Sequence, residues 1–392
     1  MGSVLELPNG RYKARYRDNQ GRSRSQTFRL KKDARDFLKT VGADVLRGTY
    51  VDPRLGRITF ETWGREWFAT TVHLRPGSRA RYGEILDCAL IPAFGGMRLA
   101  QIGPLEIGKW LAAMSAALPT SAVRRNYVQM RMVMKAAVEA DLIVKTPCIP
   151  KLPPPTQAEM RFLSVAEVEE LAAAIHPHFR ALVYLFAYGG LRWGEAAGLK
   201  RKFVDTMRRT LRVEEQLTEV NNLLLLCQPL KTKAARRTVA IPRFLAGIVD
   251  EHLERLETLR EQQGLGTVGP DDVVFVNTRA GLLHRGSFRT NHWLPALRKV
   301  GLEGVRVHDL RHTAVAFAIN LTDAHPKAVQ MRFGHSSIQQ TYDRYGHLFP
   351  QMDVSIADGL DAARQSASAA PADRATVTAI AHARAGGAEA SI

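Results

Sequence analysis

The chain has 392 residues, of which 45% are hydrophobic and 24% charged, as is typical of a globular protein with two or three domains. Its formal net charge of +17 at pH 7 favours a polyanionic partner, and nucleic acid is a better candidate than an anionic membrane surface. No apolar run approaches the ~18 residues of a membrane-spanning helix, and the N-terminus lacks the apolar stretch of a secretory signal, so a membrane or secreted protein is not expected.

Residues 1–57 are predicted to form a small basic module. They contain fourteen Lys and Arg residues against six Asp and Glu, which is nearly half of the net charge. Basic residues alternate with aromatic or apolar ones over 10–30, around a turn at 18–21, as in a small antiparallel sheet, and a helix follows at about 32–46. Aromatic rings between the arginines favour a module that reads a DNA duplex: Tyr12, Tyr16 and Phe28. A solvated basic sheet without a partner is the alternative. The candidate DNA contacts are Arg11, Lys13 and Arg15.

Residues 58–146 are predicted to form an all-α bundle. After a linker at 52–57, four amphipathic helices follow one another to about residue 144, separated by prolines and glycines. A single arginine in such a bundle is usually an ordinary exposed residue, so phosphate contacts are predicted for a set: Arg79, Arg81, Arg124 and Arg125.

A proline-rich linker is predicted at 147–158. Four prolines between Pro150 and Pro155 favour extended backbone and prevent a continuous helix. A stiff tether there would let the domains on either side hold a duplex from opposite sides.

Residues 159–350 are predicted to form a mainly helical domain with a small antiparallel sheet. A capping box, Ser164 with Glu167, opens a helix at 165–175. Three strands within 209–241 are predicted to form one sheet. In the last segment, 351–392, one short helix through about residue 364 precedes an Ala-rich tail that is predicted to be disordered.

Residues 305–350 contain two basic clusters and a tyrosine. His308 and Arg311 are three apart at the start of a predicted helix and therefore share a face. His335 follows about one helix later, and Tyr345 comes ten residues after it. This group offers cations and hydrogen-bond donors for an oxyanion, together with a hydroxyl that can serve as a nucleophile.

The strings HDLRHT and GHSSI…TYDRYGHLF, with GLRWGE at 190–195, resemble the catalytic boxes of the tyrosine recombinase (phage integrase) family, especially its arm-binding phage and actinobacterial members. The resemblance implies a multidomain α+β fold. It comprises an N-terminal sheet-and-helix module for arm sites, a SAM-like core-binding bundle, and a mainly helical catalytic domain with a small antiparallel sheet. It also implies a homotetramer on double-stranded DNA, in which the C-terminal segment docks onto a neighbour. The resemblance further implies accessory DNA-bending proteins and a prokaryotic, cytoplasmic, nucleoid-associated location.

By this resemblance, Arg192 and Arg311 clamp the scissile phosphate and His335 donates a further hydrogen bond to it. Glu195 orients neighbouring groups. Supporting roles are assigned to two more histidines, His312 and His347.

The resemblance also assigns the proton transfers. Tyr345 attacks phosphorus, with Tyr342 as the rival nucleophile. His308 is the general base, and it acts as an acid on religation. Lys231, with Lys233 as the alternative, gives a proton to the departing 5′ oxygen.

Neither a cofactor nor a metal is expected. The sequence has no D-x-D and no H-E-x-x-H motif. Its three cysteines lie far apart without a C-x-x-C pair, so neither a disulfide framework nor a zinc site is supported, and a reducing compartment is the simple inference. Guanidinium groups can replace the charge of a metal at a phosphate. The predicted function is therefore a site-specific recombinase that integrates or excises a mobile element. The alternatives are a type IB topoisomerase-like strand-swivelling enzyme and a catalytically inactive DNA-binding accessory protein.

Overall fold

The computed structural model describes residues 2–18, 21–47, 50, 52, 55–149, 152, 161–230, 232–322, 325–335, 337–345, 360–362 and 364. The chain divides into two compact units, one made of Met1–Glu159 with Glu219–Leu223 and the other of Met160–Thr218 with Leu224–Ile392. Within the described ranges, no helix combines the length and the apolar character that crossing a membrane requires.

The first unit begins with the predicted sheet and helix. Strands β1 (Ser3–Glu6), β2 (Tyr12–Arg17) and β3 (Ser23–Phe28) pair antiparallel in that order, and helix α1 (Lys31–Leu46) follows. Ala14 at the centre of β2 is fully buried. The N-terminal part of the predicted fold class is confirmed.

Two aromatic residues of the sheet, Tyr16 and Phe28, pack against its helix. The ring of Tyr16 packs edge-on against Phe37 of α1 with centroids 5.6 Å apart, and Phe28 lies 5.0 Å from the same ring. The hydroxyls of Tyr16 and Tyr50 are 2.6 Å apart and hydrogen-bonded. Because side chains alternate between the two faces of a strand, these rings pack on α1 while Lys13 and Arg15 lie on the opposite face. Tyr16 and Phe28 are thus partly buried against α1, and the DNA-reading role of this module stays a prediction.

The rest of the first unit is a helical bundle, as predicted. Its helices are α2 (Phe60–Ala69), α3 (Pro76–Ile85), a π-helical turn at Leu86–Leu90 that leads into α4 (Ile91–Phe94), α5 (Pro104–Ala117) and α6 (Thr120–Glu139). Thr59 caps α2, since its side chain accepts a hydrogen bond from the Thr62 N–H at 3.3 Å. The core of the bundle is fully buried at Phe60, Leu90, Ile107, Met130 and Val133.

The second unit is mainly helical. Its helices are α7 (Val165–Ala174), α8 (Arg180–Tyr184), which continues into a π-helical turn at Leu185–Gly189, α9 (Trp193–Ala197), α10 (Arg243–Gln262), α11 (Arg285–Phe288), α12 (Leu294–Lys299), α13 (Val307–Asn320), α14 (Pro326–Phe333) and α15 (Ile338–Tyr345). The predicted capping box opens α7. The Ser164 side chain accepts from the Glu167 N–H at 3.1 Å, and Glu167 accepts from the Ser164 N–H at 2.7 Å.

The strands of this unit form two sheets. One contains β4 (Val204–Asp205), β5 (Thr210–Val213) and β8 (Arg237–Ala240), and the other contains β6 (Glu215–Val220) and β7 (Leu223–Pro229). Residues Glu219–Leu223, where β6 ends and β7 begins, are counted with the first unit. The single three-stranded sheet predicted within 209–241 is therefore wrong. Its first strand divides into β5 and β6, and β8 pairs with β5. Leu211 faces Val239 in this pair and both are buried, so burial of this apolar face sets the register.

Candidate active site

The C-terminal end of α14 collects basic side chains from distant parts of the chain. Gly334 ends the helix in the left-handed conformation, with φ of +60°. The negative end of the helix dipole favours cations at this position. Three successive carbonyls each accept one N–H from a different arginine: Arg332 O from Arg237 at 2.8 Å, Phe333 O from Arg311, and Gly334 O from Arg192 at 3.1 Å.

Glu195 is the carboxylate in the middle of these arginines. It is 1% exposed. Its oxygens accept from the backbone N–H of Arg192 at 2.9 Å and from Nη1 of the same residue at 2.7 Å. They also accept from Nη1 and Nη2 of Arg237 at 3.2 and 2.9 Å. Burial by itself raises the pKa of Glu195, but the charges of Arg237, Arg192 and Arg311 outweigh it and lower the pKa to about 2. Glu195 is therefore ionised and ion-paired with Arg192 and Arg237, and the orienting role that the resemblance implies for it stays a prediction.

Sequence reasoning missed Arg237. The signal was present, because strand alternation places Arg237 on the same face of β8 as the buried Val239. A charged residue at a core-facing strand position needs a buried partner, and here that partner is Glu195.

Arg311 is almost fully buried, and one of its N–H groups is bonded to the carbonyl of Gly190. Gly190 has φ of +65°, and a Cβ on it would lie 2.2 Å from a ring carbon of Phe333, so no other residue fits there without rearrangement. Burial is the main reason that the pKa of Arg311 is lowered to about 9, and repulsion by Arg192 adds to it. The described cluster holds three guanidinium groups around one carboxylate, and so it carries excess positive charge that an anion would offset.

Arg192 is the most accessible member of the cluster. Its side chain is 33% exposed, whereas that of Arg237 is 6% exposed. A guanidinium has five N–H donors in a planar fork, and in Arg192 one is bonded to Glu195 and another to the carbonyl of Gly334. The remaining donors suit an oxyanion that approaches from solvent.

Three histidines lie in the same region. His308 and His312 are one turn apart on α13, with ring centroids 4.8 Å apart. Burial, followed by the repulsion of His312 and Arg311, lowers the pKa of His308 to about 4, so the ring is neutral at pH 7. The ring of His335 is stacked on that of Tyr345, with centroids 6.2 Å apart and an interplanar angle of 4°.

The two candidate nucleophiles differ in their surroundings. Tyr345 is 1% exposed, and its hydroxyl is hydrogen-bonded to Nδ1 of His312. Tyr342, one turn earlier on α15, is 40% exposed. The helix therefore turns Tyr345 towards the histidines and Tyr342 outward. Sequence reasoning did not identify the contact between His312 and Tyr345.

Several predicted residues lie outside the described part of the structure. These are Lys231, the side chain of Lys233, His347, most of the linker at 147–158 and the tail after residue 364. Their assignments stay predictions, as do the limits of the five predicted segments. Four described residues of the C-terminal segment, at 360–362 and 364, are helical.

Comparison with known proteins decides the family. The model of the phage integrase family matches residues 161–352, that of the phage integrase N-terminal domain matches 1–47, and that of the phage integrase N-terminal SAM-like domain matches 59–115. The chain belongs to the phage integrase family. It is a tyrosine-type site-specific recombinase.

A relative matched over nearly its whole length agrees with this assignment, and two solved structures share the fold. The integrase is 27% identical over 371 residues to the integrase of Mycobacterium phage L5, a match that covers 92% of this chain and 96% of the relative. The Tn1549 transposon integrase in complex with a circular intermediate DNA has the same fold, with a TM-score of 0.66 and 16% identity over 78% of this chain and 99% of that one. A λ integrase tetramer bound to a Holliday junction gives a TM-score of 0.54, at 16% identity over 86% and 95% of the two chains.

The predicted DNA contacts of the integrase lie in the first unit. Lys13 and Arg15 are on β2, and Arg11 is exposed just before it. Arg79 lies over the ring of Phe68 at 4.8 Å from its centroid. The other arginines line a shallow groove of the bundle with Tyr82, Val128 and Met132: Arg81, Arg124 and Arg125.

Proposed function

We propose that this integrase cuts and rejoins DNA strands with Tyr345 as the nucleophile and the arginines at the end of α14 as the phosphate clamp, and that it thereby integrates or excises a mobile element. The observation that carries this proposal is the convergence of Arg192 and Arg311 on the adjacent carbonyls of Gly334 and Phe333. The ring of Tyr345 is stacked on His335, the first residue after Gly334.

The cleavage step follows from this geometry. The Tyr345 oxygen forms a bond to phosphorus while the bond from phosphorus to the 5′ oxygen breaks, and the tyrosine proton passes to a base. The 5′ oxygen takes a proton from an acid, which the family resemblance assigns to Lys231. Arg192 and Arg311 stabilise the negative charge that develops on the non-bridging oxygens, so no metal is required. The phosphotyrosyl ester preserves the energy of the broken bond, and the reverse reaction joins the ends without ATP.

DNA binding is proposed for both parts of the first unit. The outer face of the N-terminal sheet presents Lys13 and Arg15 and suits the phosphates of arm sites. The arginine-lined groove of the bundle, with Arg81, Arg124 and Arg125, suits the core site. Excess charge on these surfaces supports the proposal, since phosphate contacts provide most of the affinity of such proteins.

We extend the proposal to the assembly. The integrase acts as a homotetramer on two duplexes, with DNA-bending proteins bringing arm and core sites together, in the cytoplasm at the nucleoid. The λ integrase tetramer on a Holliday junction, which shares the fold, supports this part. The C-terminal segment, helical in its described residues, would dock onto a neighbouring subunit.

The test is covalent trapping. The integrase is incubated with a nicked duplex that carries the core site from the DNA flanking its gene, and the mixture is denatured. A protein–DNA adduct that Tyr345→Phe abolishes and the matched control Tyr342→Phe preserves is the expected result. An adduct that is lost in Tyr342→Phe but kept in Tyr345→Phe would show that Tyr342, and not Tyr345, is the nucleophile. Relaxation of plasmids that lack the site would favour the topoisomerase-like alternative.

A further inference from the structure

The hydroxyl of the proposed nucleophile meets a histidine to which the family resemblance gives only a supporting role. Tyr345 reaches this position from α15, and its hydroxyl is hydrogen-bonded to Nδ1 of His312 on α13. Tyr345 is 1% and His312 is 6% exposed. Their ring centroids are 5.8 Å apart with an interplanar angle of 47°. The reacting oxygen is thus paired with an imidazole in a nearly water-free environment.

The local fold holds this pair in place. The Tyr345 ring packs in a small cluster of buried residues from α13 and α14: Ala314, Val315, Ile319, Val329 and Phe333. The residue after His312, Thr313, is fully buried, and its hydroxyl donates to the carbonyl of Asp309 at 3.0 Å and accepts from the backbone N–H of Leu163 at 3.1 Å. The Tyr345 ring and the stretch of α13 that carries His312 are therefore held in place, which is the arrangement expected of a nucleophile and its base.

We propose that His312, rather than His308, accepts the proton of the Tyr345 hydroxyl during cleavage. This inference rests on the proposed function and adds the base to it. The O–H bond of Tyr345 breaks and its proton goes to Nδ1 of His312, while the oxygen bonds to phosphorus and the 5′ oxygen departs with a proton from the general acid. On rejoining, the imidazolium returns the proton to the tyrosine oxygen. The proton moves within the pocket, so the combined charge of pocket and DNA does not change.

His308 is then a neighbour of the base. Its ring packs edge-on against His312 at an interplanar angle of 84°. The ring of His312 lies near those of both His308 and Tyr345, with centroids 4.8 and 5.8 Å away. A base has to be within hydrogen-bond reach of the proton that it takes, and His312 is the histidine that meets this condition in the described structure.

The experiment measures the single-turnover rate of adduct formation on the nicked core-site duplex for the full-length integrase. We expect His312→Ala to lower this rate by about 10²–10⁴-fold, the usual contribution of general acid–base catalysis. His312→Gln, which can still hydrogen-bond the hydroxyl but cannot take its proton, should be similarly slow. Free imidazole should restore part of the rate of His312→Ala, because the variant leaves a buried space of that shape. His308→Ala is the matched control, since it removes the adjacent imidazole of the same helix.

A second substrate separates the base from the acid. In a duplex with sulfur in place of the bridging 5′ oxygen, the leaving thiolate needs no proton. The His312→Ala defect should persist on this substrate, whereas a variant of the general acid should be rescued. Melting temperature and core-site affinity of each variant report on folding and binding separately from the rate.

Three results would overturn the assignment. They are a His312→Gln rate close to that of the wild type, full rescue of His312→Ala by the sulfur substrate, and a larger loss in His308→Ala that free imidazole repairs. In each case the adduct still forms on Tyr345, so the proposed function survives. If the wild-type protein forms no adduct at all, the proposed function fails, and this inference fails with it.

Discussion

Replacing Arg237 by methionine removes the charge that neutralises a buried carboxylate. In the native protein Glu195 is 1% exposed and ionised, with its pKa lowered to about 2 although burial acts in the opposite direction. Arg237→Met deletes the two bonds to Glu195 at 3.2 and 2.9 Å, and also the bond from Nε to the carbonyl of Arg332 at 2.8 Å. Arg192 is left as the partner of the carboxylate within the described cluster.

The magnitude follows from the geometry of the pair. Loss of one partner of a buried ion pair costs about 3–5 kcal/mol, mostly because the other charge is left uncompensated. Glu195 keeps its two bonds to Arg192, at 2.9 and 2.7 Å, so the lower end, about 3 kcal/mol, is expected. In a domain of this size that corresponds to a melting temperature lower by roughly 6–12 °C. Because Arg192 is then drawn towards the unpaired carboxylate, we expect adduct formation to slow by on the order of 10²-fold.

The assay combines thermal unfolding with single-turnover cleavage for four proteins: wild type, Arg237→Met, Glu195→Gln and the double variant. The double variant should be more stable than the sum of the single effects predicts, because the second change removes the charge that the first leaves unpaired. A destabilisation of Arg237→Met below about 1 kcal/mol, or strict additivity of the two changes, would show that the pair is not a coupled buried unit.

Two further predictions concern acid stability and the N-terminal module. Burial, opposed by a bond to the Val274 carbonyl and assisted by His178, lowers the pKa of His252 to about 4. The unfolded residue titrates near 6.5. Between pH 6.5 and pH 4, His252 is protonated in the unfolded chain but neutral in the folded protein, so the free energy of unfolding falls as the pH drops through this range. The free energy of unfolding, measured with urea, should be lower at pH 5 than at pH 7.5 by about 2 kcal/mol on account of this residue. If His252→Gln shows the same difference between the two pH values, the prediction is refuted. Deletion of residues 1–57 should spare core-site cleavage but weaken salt-sensitive binding to distal sites, and equal loss of both would argue against a separate arm module.

Elements with a strong local pattern were predicted well. The basic sheet followed by α1, the helices of the bundle and the capping box at Ser164 all appear where periodicity and breaker residues placed them. The strand pairing in the second unit was predicted less well. The alternation of Leu211 and Val213 correctly indicates a buried face, but it does not say which strand lies beside β5. That strand is β8, which follows β5 after the intervening hairpin of β6 and β7.

The sequence alone indicated the family, the class of chemistry and most of the candidate site residues, because its boxes are short, local strings with characteristic spacing. The tertiary structure decided which of these residues touch. Arg192 meets the carbonyl of Gly334 across 142 positions of the chain, Arg237 meets Glu195 across 42, and Tyr345 meets His312 across 33. A hydropathy pattern indicates which face of a helix or strand is buried, but it does not identify the side chains of other elements that pack against that face. That choice is made when the helices and strands pack together, since only then do buried charges and hydroxyls find their partners.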